Sequence, residues 1–274
     1  MNVVSFRKYH GAGNDFIVID NRHDDNTTSI TSNQRNSMCH RNFGIGADGI
    51  LEIMSSSTAN FKLIYYNADG HVGSLCGNGS RCAIAYVLNS PDNHRSQELT
   101  FECNGVLYHG GYISQDNKYY LYMNDVQVNN IYRLDDSNYF LDTGSPHHVQ
   151  FVTNIQTVNV GEVGSELCYG RYSPHGSNVN FCTRTVDNLI KARTFERGVD
   201  RETLACGTGA TAVALVAHLH DTRTVVDEVS PVSYDIEMPG GTLKVEFKAS
   251  KEIISDIKLI GPAVEVFQGS YPLI

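Results

Sequence analysis

The stretch Thr203–Leu219, TLACGTGATAVALVAHL, places Cys206 at the glycine-rich start of an apolar segment. The residues that follow the Cys-Gly-x-Gly turn are small or branched and apolar on nearly every side. Such a composition predicts a helix that is buried all round rather than laid on a surface. The stretch Ser74–Leu88, SLCGNGSRCAIAYVL, has the same arrangement around Cys76, 130 positions earlier. The sequence therefore predicts two buried helices, each preceded by a cysteine and two glycines.

The rest of the chain favours strands. Short β-branched or aromatic segments, bounded by Gly, Asn and Asp, are typical of strands. They cover residues 3–6, 16–19, 50–54, 61–66, 99–102, 106–113, 119–123, 139–142, 148–152, 179–183, 189–195, 233–238, 243–248 and 254–260. Two further helices are expected at about 32–41 and 161–171. The sequence predicts an α+β fold of two pseudo-symmetric lobes, each a β-barrel-like sheet wrapped around a central buried helix.

A weak internal repeat supports duplication of one lobe. Asn67 lies nine residues before Cys76, and Arg197 lies nine residues before Cys206. GAGNDF at 11–16 has a rough echo in TGSPHHV at 143–149. The period is too long for a solenoid. The predicted lobes are 1–118 plus 261–274, carrying Cys76, and 119–260, carrying Cys206.

Composition excludes several classes of partner. The formal net charge is −9, and no block of like charges marks a nucleic-acid surface. The most apolar helical run, residues 210–219, is far shorter than the roughly 20 residues that span a bilayer. Arg7 and Lys8 interrupt the first apolar stretch, so it does not read as a signal peptide. We expect a cytoplasmic protein with no nucleic-acid or membrane partner.

The cysteine usage argues against disulfides and metal. The chain has seven cysteines, an odd number without a secretion signal. It contains no C-x-x-C pair, so no structural zinc site and no other metal site is predicted. Four of the seven are expected to be small buried apolar side chains: Cys82, Cys103, Cys168 and Cys182.

Two stretches match glycine patterns of dinucleotide sites. GIGADG, residues 44–49, precedes the strand-like ILEIM, whereas a dinucleotide site needs a helix there. GTGATA, residues 207–212, opens a helix, but no buried strand precedes it. We therefore predict no nucleotide cofactor, and interpret GIGADG as a glycine-shaped turn in an active site.

The paired cysteines predict acid–base chemistry. Free N–H groups and the helix dipole make each helix start an anion site, and the same field favours a thiolate there. Two lobes related by a pseudo-dyad would place the two helix starts face to face. Facing thiols cannot both ionise cheaply, so one serves as base and the other as acid. That pair suits racemisation or epimerisation at a carbon held between them.

The sequence resembles the diaminopimelate epimerase family over essentially its whole length. The stretches that carry the resemblance are KYHGAGNDF (8–16), CHRNFGIGADG (39–49), NADG (67–70), CGNGSRC (76–82), DTGSPHHV (142–149), GSNVNF (176–181), FERG (195–198), ETLACGTGA (202–210) and GPAVEVFQG (261–269). The resemblance implies the same two-lobed fold. It also implies cofactor-independent interconversion of LL- and meso-diaminopimelate, a step of lysine and peptidoglycan precursor biosynthesis.

The resemblance further implies roles for individual residues. Cys76 and Cys206 would be the catalytic pair, with His147 and Glu196 in support. Substrate binding would fall to Asn14, Gly77, Asn78, Gly207 and Thr208 at the α-carboxylate, and to Asn67, Asn178, Glu196 and Arg197 at the distal amino-acid end. The implied partner is the small-molecule substrate, and a homodimer is compatible with it. The chain departs from the family in having Ser145 where many members have asparagine, and in a loop before Cys206 that is one residue longer.

Three other readings stay open on the sequence alone. One is another cofactor-independent racemase of this fold, such as a proline racemase, for which FERG and Asn178 would lack a purpose. Another is a cysteine hydrolase in which His147 activates a cysteine, which gives no role to a second matched cysteine. The third is a binding protein without chemistry.

Overall fold

The computed structural model describes residues 3–23, 29–93, 96–186, 188–221 and 230–273. Proximity of Cα atoms divides the chain into an N-terminal unit, Met1–Leu121 with Gly261–Ile274, and a C-terminal unit, Tyr122–Ile260. The first junction lies three residues beyond the one predicted from the sequence.

The N-terminal unit contains eight strands and two helices among its described residues. The strands are β1 (Val3–Gly11), β2 (Asn14–Asn21), β3 (Gly49–Met54), β4 (Phe61–Asn67), β5 (Glu98–Cys103), β6 (Val106–Ile113), β7 (Lys118–Tyr122) and β18 (Val264–Pro272). The helices are α1 (Ser32–Cys39) and α2 (Gly77–Leu88).

The C-terminal unit contains the remaining ten strands and two helices of the described chain. The strands are β8 (Val126–Gln127), β9 (Tyr132–Arg133), β10 (Asn138–Asp142), β11 (Pro146–Phe151), β12 (Asn178–Val186), β13 (Leu189–Glu196), β14 (Arg201–Thr203), β15 (Ser230–Met238), β16 (Gly241–Ala249) and β17 (Ile253–Gly261). The helices are α3 (Val160–Glu166) and α4 (Gly207–Asp221). A π-helical turn, Leu167–Arg171, follows α3, so the helix predicted at 161–171 changes its hydrogen-bond period midway.

The two units pair their strands in the same order. In the N-terminal unit β1–β2 is antiparallel, β2–β3 parallel across α1, β3–β4 antiparallel, β4–β5 parallel across α2, and β5–β6 antiparallel. In the C-terminal unit the series β10, β11, β12, β13, β15, β16 repeats this alternation, with α3 and α4 in the crossovers and β14 as an addition. This shared order confirms the predicted α+β class with two pseudo-symmetric lobes.

Each unit is organised around one buried helix. Helix α2 contacts all six strands β1 to β6, and α4 contacts the six corresponding strands. Every side chain from Ala210 to Ala217 is fully buried. Alanine and other small residues let strands approach the helix from all sides, and each fully buried Val or Leu contributes about 1.5–3 kcal/mol. The apolar composition of residues 203–219 therefore explains why the sheet can wrap around α4.

Four cysteines are structural, as the sequence predicted. Cys82, Cys103, Cys168 and Cys182 are each 0 or 1% exposed. Burial raises the pKa of Cys103 to about 11, and raises the pKa values of Cys82 and Cys182 further. The thiols of Cys82, Cys103 and Cys182 therefore stay protonated at neutral pH and are poor nucleophiles.

The described residues also bear on two other classes of site. No helix among them is long and apolar enough to cross a membrane. They contain no group of three or more His, Cys, Asp or Glu side chains placed to hold a metal ion.

Candidate active site

Cys76 is the N-cap residue of α2. Its backbone is extended, with φ −107° and ψ 116°, and its Sγ accepts a hydrogen bond from the Gly79 N–H at 3.4 Å. Its carbonyl accepts from the Ser80 N–H at 2.8 Å, which starts the helical ladder. The thiol thus takes the place of an N-capping hydroxyl or carboxylate at the start of α2. Such a position stabilises negative charge, whether on the sulfur or on a bound carboxylate.

Asn14, the first residue of β2, holds the Cys76 thiol. The Cys76 Sγ–H donates to Asn14 Oδ1 at 3.6 Å, and Asn78 Nδ2 donates to the same oxygen at 3.3 Å. Asn14 Nδ2 in turn donates to Asp48 Oδ2 at 2.8 Å. Because a carboxylate can only accept, this last bond fixes which end of the Asn14 amide faces the cysteine.

A charge network supports Asn14 from behind. Arg41 bridges the carboxylates of Asp15 and Asp48 at 2.8 and 2.7 Å, and Lys8 Nζ lies 2.6 Å from Asp15. Burial alone would raise the pKa of Asp15, but the hydrogen bonds from Arg41 and Lys8 lower it to about 2. Lys8 also donates to the Gly46 carbonyl, which ties the GIGADG turn to β1. Strand β3 begins at Gly49, one residue before the predicted strand, so GIGADG leads into a strand and not into a helix.

Strand ends bring the candidate residues of the N-terminal unit to one edge of its sheet. Gly49 pairs with Phe16 on one side and with Asn67 on the other. Asn67, the last residue of β4, is exposed, and Asn14 begins β2 at the same edge. After Asn67, the chain continues from this edge to the start of α2. Asn14 and Asn78 thus meet at Cys76, next to Gly77, whereas Asn67 lies at the same sheet edge.

Cys206 directly precedes α4, as Cys76 directly precedes α2. Its carbonyl accepts from the Ala210 N–H at 2.9 Å, and its Sγ lies 3.5 Å from Thr208 Oγ1. A Cβ at Gly209 would lie 2.4 Å from Asn180 Oδ1 and 3.3 Å from the Cys206 sulfur. Only glycine therefore lets the helix start approach β12 this closely.

His147 lies on β11 with both ring nitrogens engaged. Asn180 donates one amide hydrogen to His147 Nδ1 at 3.1 Å and the other to the His148 carbonyl at 2.9 Å. Asn180 Oδ1 accepts from Thr194 Oγ1 at 2.9 Å, which fixes the amide orientation. Since Nδ1 accepts, the neutral ring carries its hydrogen on Nε2 and donates it to Ser145 Oγ, 3.0 Å away.

Ser145 links this histidine to the cysteine. Its Oγ accepts from His147 and, at 3.1 Å, from Asn178 Nδ2. It therefore donates its own hydrogen to Thr208 Oγ1, 3.3 Å away. Thr208 contacts Cys206, so an ordered chain of hydrogen bonds runs from His147 to the thiol. Ser145 follows Gly144, as Asn14 follows Gly13, and both glycines have positive φ.

Burial keeps the two histidines of β11 neutral. Burial, with a smaller effect from the charge of Arg197, lowers the pKa of His147 from 6.5 to about 3. Burial lowers the pKa of His148 to about 4, where Tyr172 and Asn138 occupy its ring nitrogens. Both rings are therefore uncharged near neutral pH.

These histidines predict a loss of stability in acid. Their folded pKa values lie below 6.5, so the unfolded chain binds protons first and stability falls as pH drops from about 6.5 toward 4. Each proton contributes a slope approaching about 1.4 kcal/mol per pH unit. Asp15 loses its stabilising charge only below about 4, outside this window. Scanning calorimetry from pH 7.5 to about 4.5 should show the fall, and His148→Gln should flatten it. A flat wild-type profile would contradict the assignment.

The strand ends of the C-terminal unit carry the distal-end candidates. Asn178 Oδ1, at the start of β12, accepts from the Arg197 N–H at 2.9 Å. Arg197 Nη1 donates to the His175 carbonyl at 2.8 Å, and its side chain is exposed. Glu196 is the last residue of β13 and is half-buried. His147, Asn178, Glu196, Arg197, Gly207 and Thr208 thus share one edge of this unit.

With this geometry in place, comparison with known sequences decides the family. The diaminopimelate epimerase family model matches residues 6–105 and 139–264. The chain belongs to the diaminopimelate epimerase family. It is also similar to the diaminopimelate epimerase of Flavobacterium psychrophilum, with 39% identity over 95% of this chain and 97% of that protein. Membership of this family makes the chain an isomerase of the epimerase type.

Solved structures agree on the fold. A phenazine biosynthesis protein of the PhzF family from Bacillus anthracis superposes with a TM-score of 0.71, 14% identity, and coverage of 99% of this chain and 100% of that one. A probable proline racemase from Agrobacterium radiobacter K84 superposes with a TM-score of 0.69 and 15% identity, and the match covers 99% of this chain and 93% of that one. At such low identity these likenesses concern the fold alone.

Three residues beside the cysteines of this epimerase were not singled out from its sequence. Asp48 fixes the orientation of Asn14, and Asn180 fixes the tautomer of His147. Arg81 donates to Asn78 from a fully buried position. For Asn180 a signal exists, since it lies two residues after Asn178 and so shares its face of β12. Local sequence gives no comparable signal for Asp48 or Arg81.

Proposed function

We propose that this epimerase interconverts LL- and meso-diaminopimelate by a two-cysteine acid/base mechanism. The observation that carries the proposal is the repeated helix start: in two topologically equivalent units, Cys76 directly precedes α2 and Cys206 directly precedes α4. One thiolate removes the α-hydrogen, and the other thiol delivers a proton to the opposite face of the carbon. A single base would tend to return the proton to the face it came from.

The α-carboxylate is the natural ligand for the helix starts. The N–H groups of Gly77, Asn78, Gly207 and Thr208 stabilise its negative charge, and that charge grows as the carbanion forms. The Asn14 amide steadies the Cys76 side of this site. No cofactor is required, since the thiols supply both acid and base.

The distal end of the substrate carries a second amino acid. We propose that Arg197 binds the distal carboxylate through two parallel N–H···O hydrogen bonds, and that Asn67 and Asn178 are further hydrogen-bonding partners of this end. Glu196 is proposed to accept from the distal ammonium. This end selects diaminopimelate over substrates with a single amino acid, and it places the step in lysine and peptidoglycan precursor synthesis in the cytoplasm.

The hydrolase alternative gains no support from His147. Its Nδ1 accepts from Asn180 and its Nε2 donates to Ser145, so neither nitrogen is free to deprotonate a thiol. We propose that His147 supports catalysis by orienting Ser145 and Thr208 beside Cys206.

The direct test offers LL-diaminopimelate, L-proline and 4-hydroxyproline to the purified protein and separates the product isomers by chiral chromatography. We expect meso-diaminopimelate to form and the two imino acids to remain unchanged. Racemisation of proline without turnover of diaminopimelate would support the proline racemase reading instead. A variant lacking both Cys76 and Cys206 sets the background.

A further inference from the structure

Arg81, within the first two turns of α2, is a buried cation without an acidic partner. Its side chain is 0% exposed. Nη1 donates to the Gly77 carbonyl at 3.3 Å and Nη2 to Asn78 Oδ1 at 2.7 Å, while Nε has no hydrogen-bond partner. No carboxylate among the described residues lies within ion-pair distance of it. Burying an unpaired charge is strongly unfavourable, so any negative charge forming nearby is correspondingly stabilised.

Contacts lead from this guanidinium to the Cys76 thiol. Arg81 holds the oxygen of the Asn78 amide, whose nitrogen donates to Asn14 Oδ1, the oxygen that also accepts from Cys76. Burial lowers the pKa of Arg81 to about 10, while negative charge on Cys82 or Cys76 acts in the opposite direction. Arg81 is therefore protonated at neutral pH, and its charge is felt at Cys76.

The immediate partner of Cys76 works against ionisation. Asn14 presents an oxygen, which stabilises a thiol that donates and repels a thiolate. The Asp48 carboxylate behind Asn14 adds negative charge on the same side. A nearby cation would offset this repulsion and add to the effect of the helix start on the Cys76 thiolate.

The C-terminal unit has no such cation at the equivalent place. Thr211 lies five residues after Cys206, as Arg81 lies five after Cys76. It is fully buried and neutral, and its Oγ1 donates to the Gly207 carbonyl at 3.1 Å. Cys206 instead lies beside the Thr208 hydroxyl, at the end of the hydrogen-bond chain from His147. The two half-sites therefore support their thiols by different means.

Other charges around α2 are largely paired with one another. The ionisable residues with buried or half-buried side chains on β1 to β6 are Arg7, Lys8, Tyr9, His10, Asp15, Asp20, Glu52, Lys62, Tyr65, Tyr66, Glu102, Cys103, Tyr108 and Tyr112. On α2 itself, Cys82 and Tyr86 are kept neutral by raised pKa values. Lys8, Asp15, Arg41 and Asp48 form one ion cluster; Arg7 pairs with Glu265, Asp20 with Arg22, and Glu52 with Arg35.

We propose that Arg81 is a positioning residue for Cys76, holding Asn78 in place and supplying a buried positive charge that favours the Cys76 thiolate beside Asn14 without favouring the Cys206 thiolate. Its part in turnover rests on the proposed function, whereas its effect on the thiol does not. In the reaction direction in which Cys76 is the base, the Cys76 thiolate that Arg81 stabilises accepts the proton from the substrate.

The test measures alkylation by iodoacetamide at each cysteine against pH, without substrate, by peptide mapping. Midpoints report ionisation independently of how exposed each sulfur is. In Arg81→Met, which removes the charge at similar volume, the Cys76 midpoint should rise by about one pH unit, or about tenfold slower labelling near neutrality. The Cys206 midpoint in the same sample should not rise. Arg81→Lys should restore most of the shift, and Thr211→Val should leave Cys76 unchanged.

An unchanged Cys76 midpoint in folded Arg81→Met, or an equal rise at Cys206, would overturn the proposal. If Arg81→Met does not fold, the wild type decides, because a Cys76 midpoint above the ordinary value of about 8.5 contradicts the inference. A shifted midpoint in a protein that fails to turn over diaminopimelate would leave this inference standing and reject the proposed function. Normal turnover with an unmoved midpoint would do the reverse.

Discussion

Replacing either Cys76 or Cys206 with alanine is expected to lower kcat/KM for diaminopimelate epimerisation by about 10²–10⁴-fold, the usual contribution of a general acid or base. Each thiol serves one face of the substrate carbon, so losing either one blocks both reaction directions. Measuring turnover from LL- and from meso-diaminopimelate checks this for each variant.

The matched control for this prediction lies on the same helix. Cys82 is six residues after Cys76, fully buried, and its pKa is raised by burial. Cys82→Ala is expected to cost stability through a small cavity while leaving kcat/KM nearly unchanged. A Cys76 or Cys206 variant that keeps turnover within a few-fold of wild type would remove that residue from the mechanism.

Arg197→Ala is expected to lower kcat/KM by about 10- to 100-fold, because a bidentate, charge-assisted bond to a carboxylate is worth roughly 1.5–3 kcal/mol. The side chain is exposed, so the variant should unfold at nearly the wild-type temperature. The kcat/KM of Arg197→Lys should lie between those of the wild type and Arg197→Ala, since a lysine keeps the charge but cannot make the bidentate bond.

An exposed arginine of the same unit provides the control. Arg133 pairs with Asp136 at the surface and has no place in the candidate site. Arg133→Ala should leave kcat/KM unchanged, since surface pairs contribute little. Equal activities in Arg197→Ala and Arg133→Ala would show that Arg197 does not bind the distal carboxylate.

Local signals in the sequence predicted the elements on which the site is built. Cysteine and two glycines before an apolar run is a local pattern, and both helices begin where it predicts. The apolar composition of the residues after each turn predicts that both helices are buried, and this prediction needs no knowledge of how the strands pair. The parallel crossovers across α1 and α3 were not predictable in this way, because strand pairing depends on long-range register rather than on local composition.

Side-chain support was harder to predict than position. Arginine is almost never fully buried unless it is paired, so local sequence gave no reason to expect Arg81 inside the fold. Ser145 stood out only as a departure from the family pattern. Its role emerges from three bonds, to His147, Asn178 and Thr208, that depend on the packing of β11, β12 and α4.

The central claim, two separate bases on opposite faces of one carbon, is tested most directly by running the reaction from LL-diaminopimelate in D₂O and analysing it early. The account predicts that the meso product carries solvent deuterium at its α-carbon while the recovered LL substrate carries almost none. The hydrogen removed by one thiol is not the one returned by the other. Rapid deuteration of the recovered substrate, at a rate matching product formation, would contradict it, since that pattern requires one base that exchanges with solvent and serves both faces.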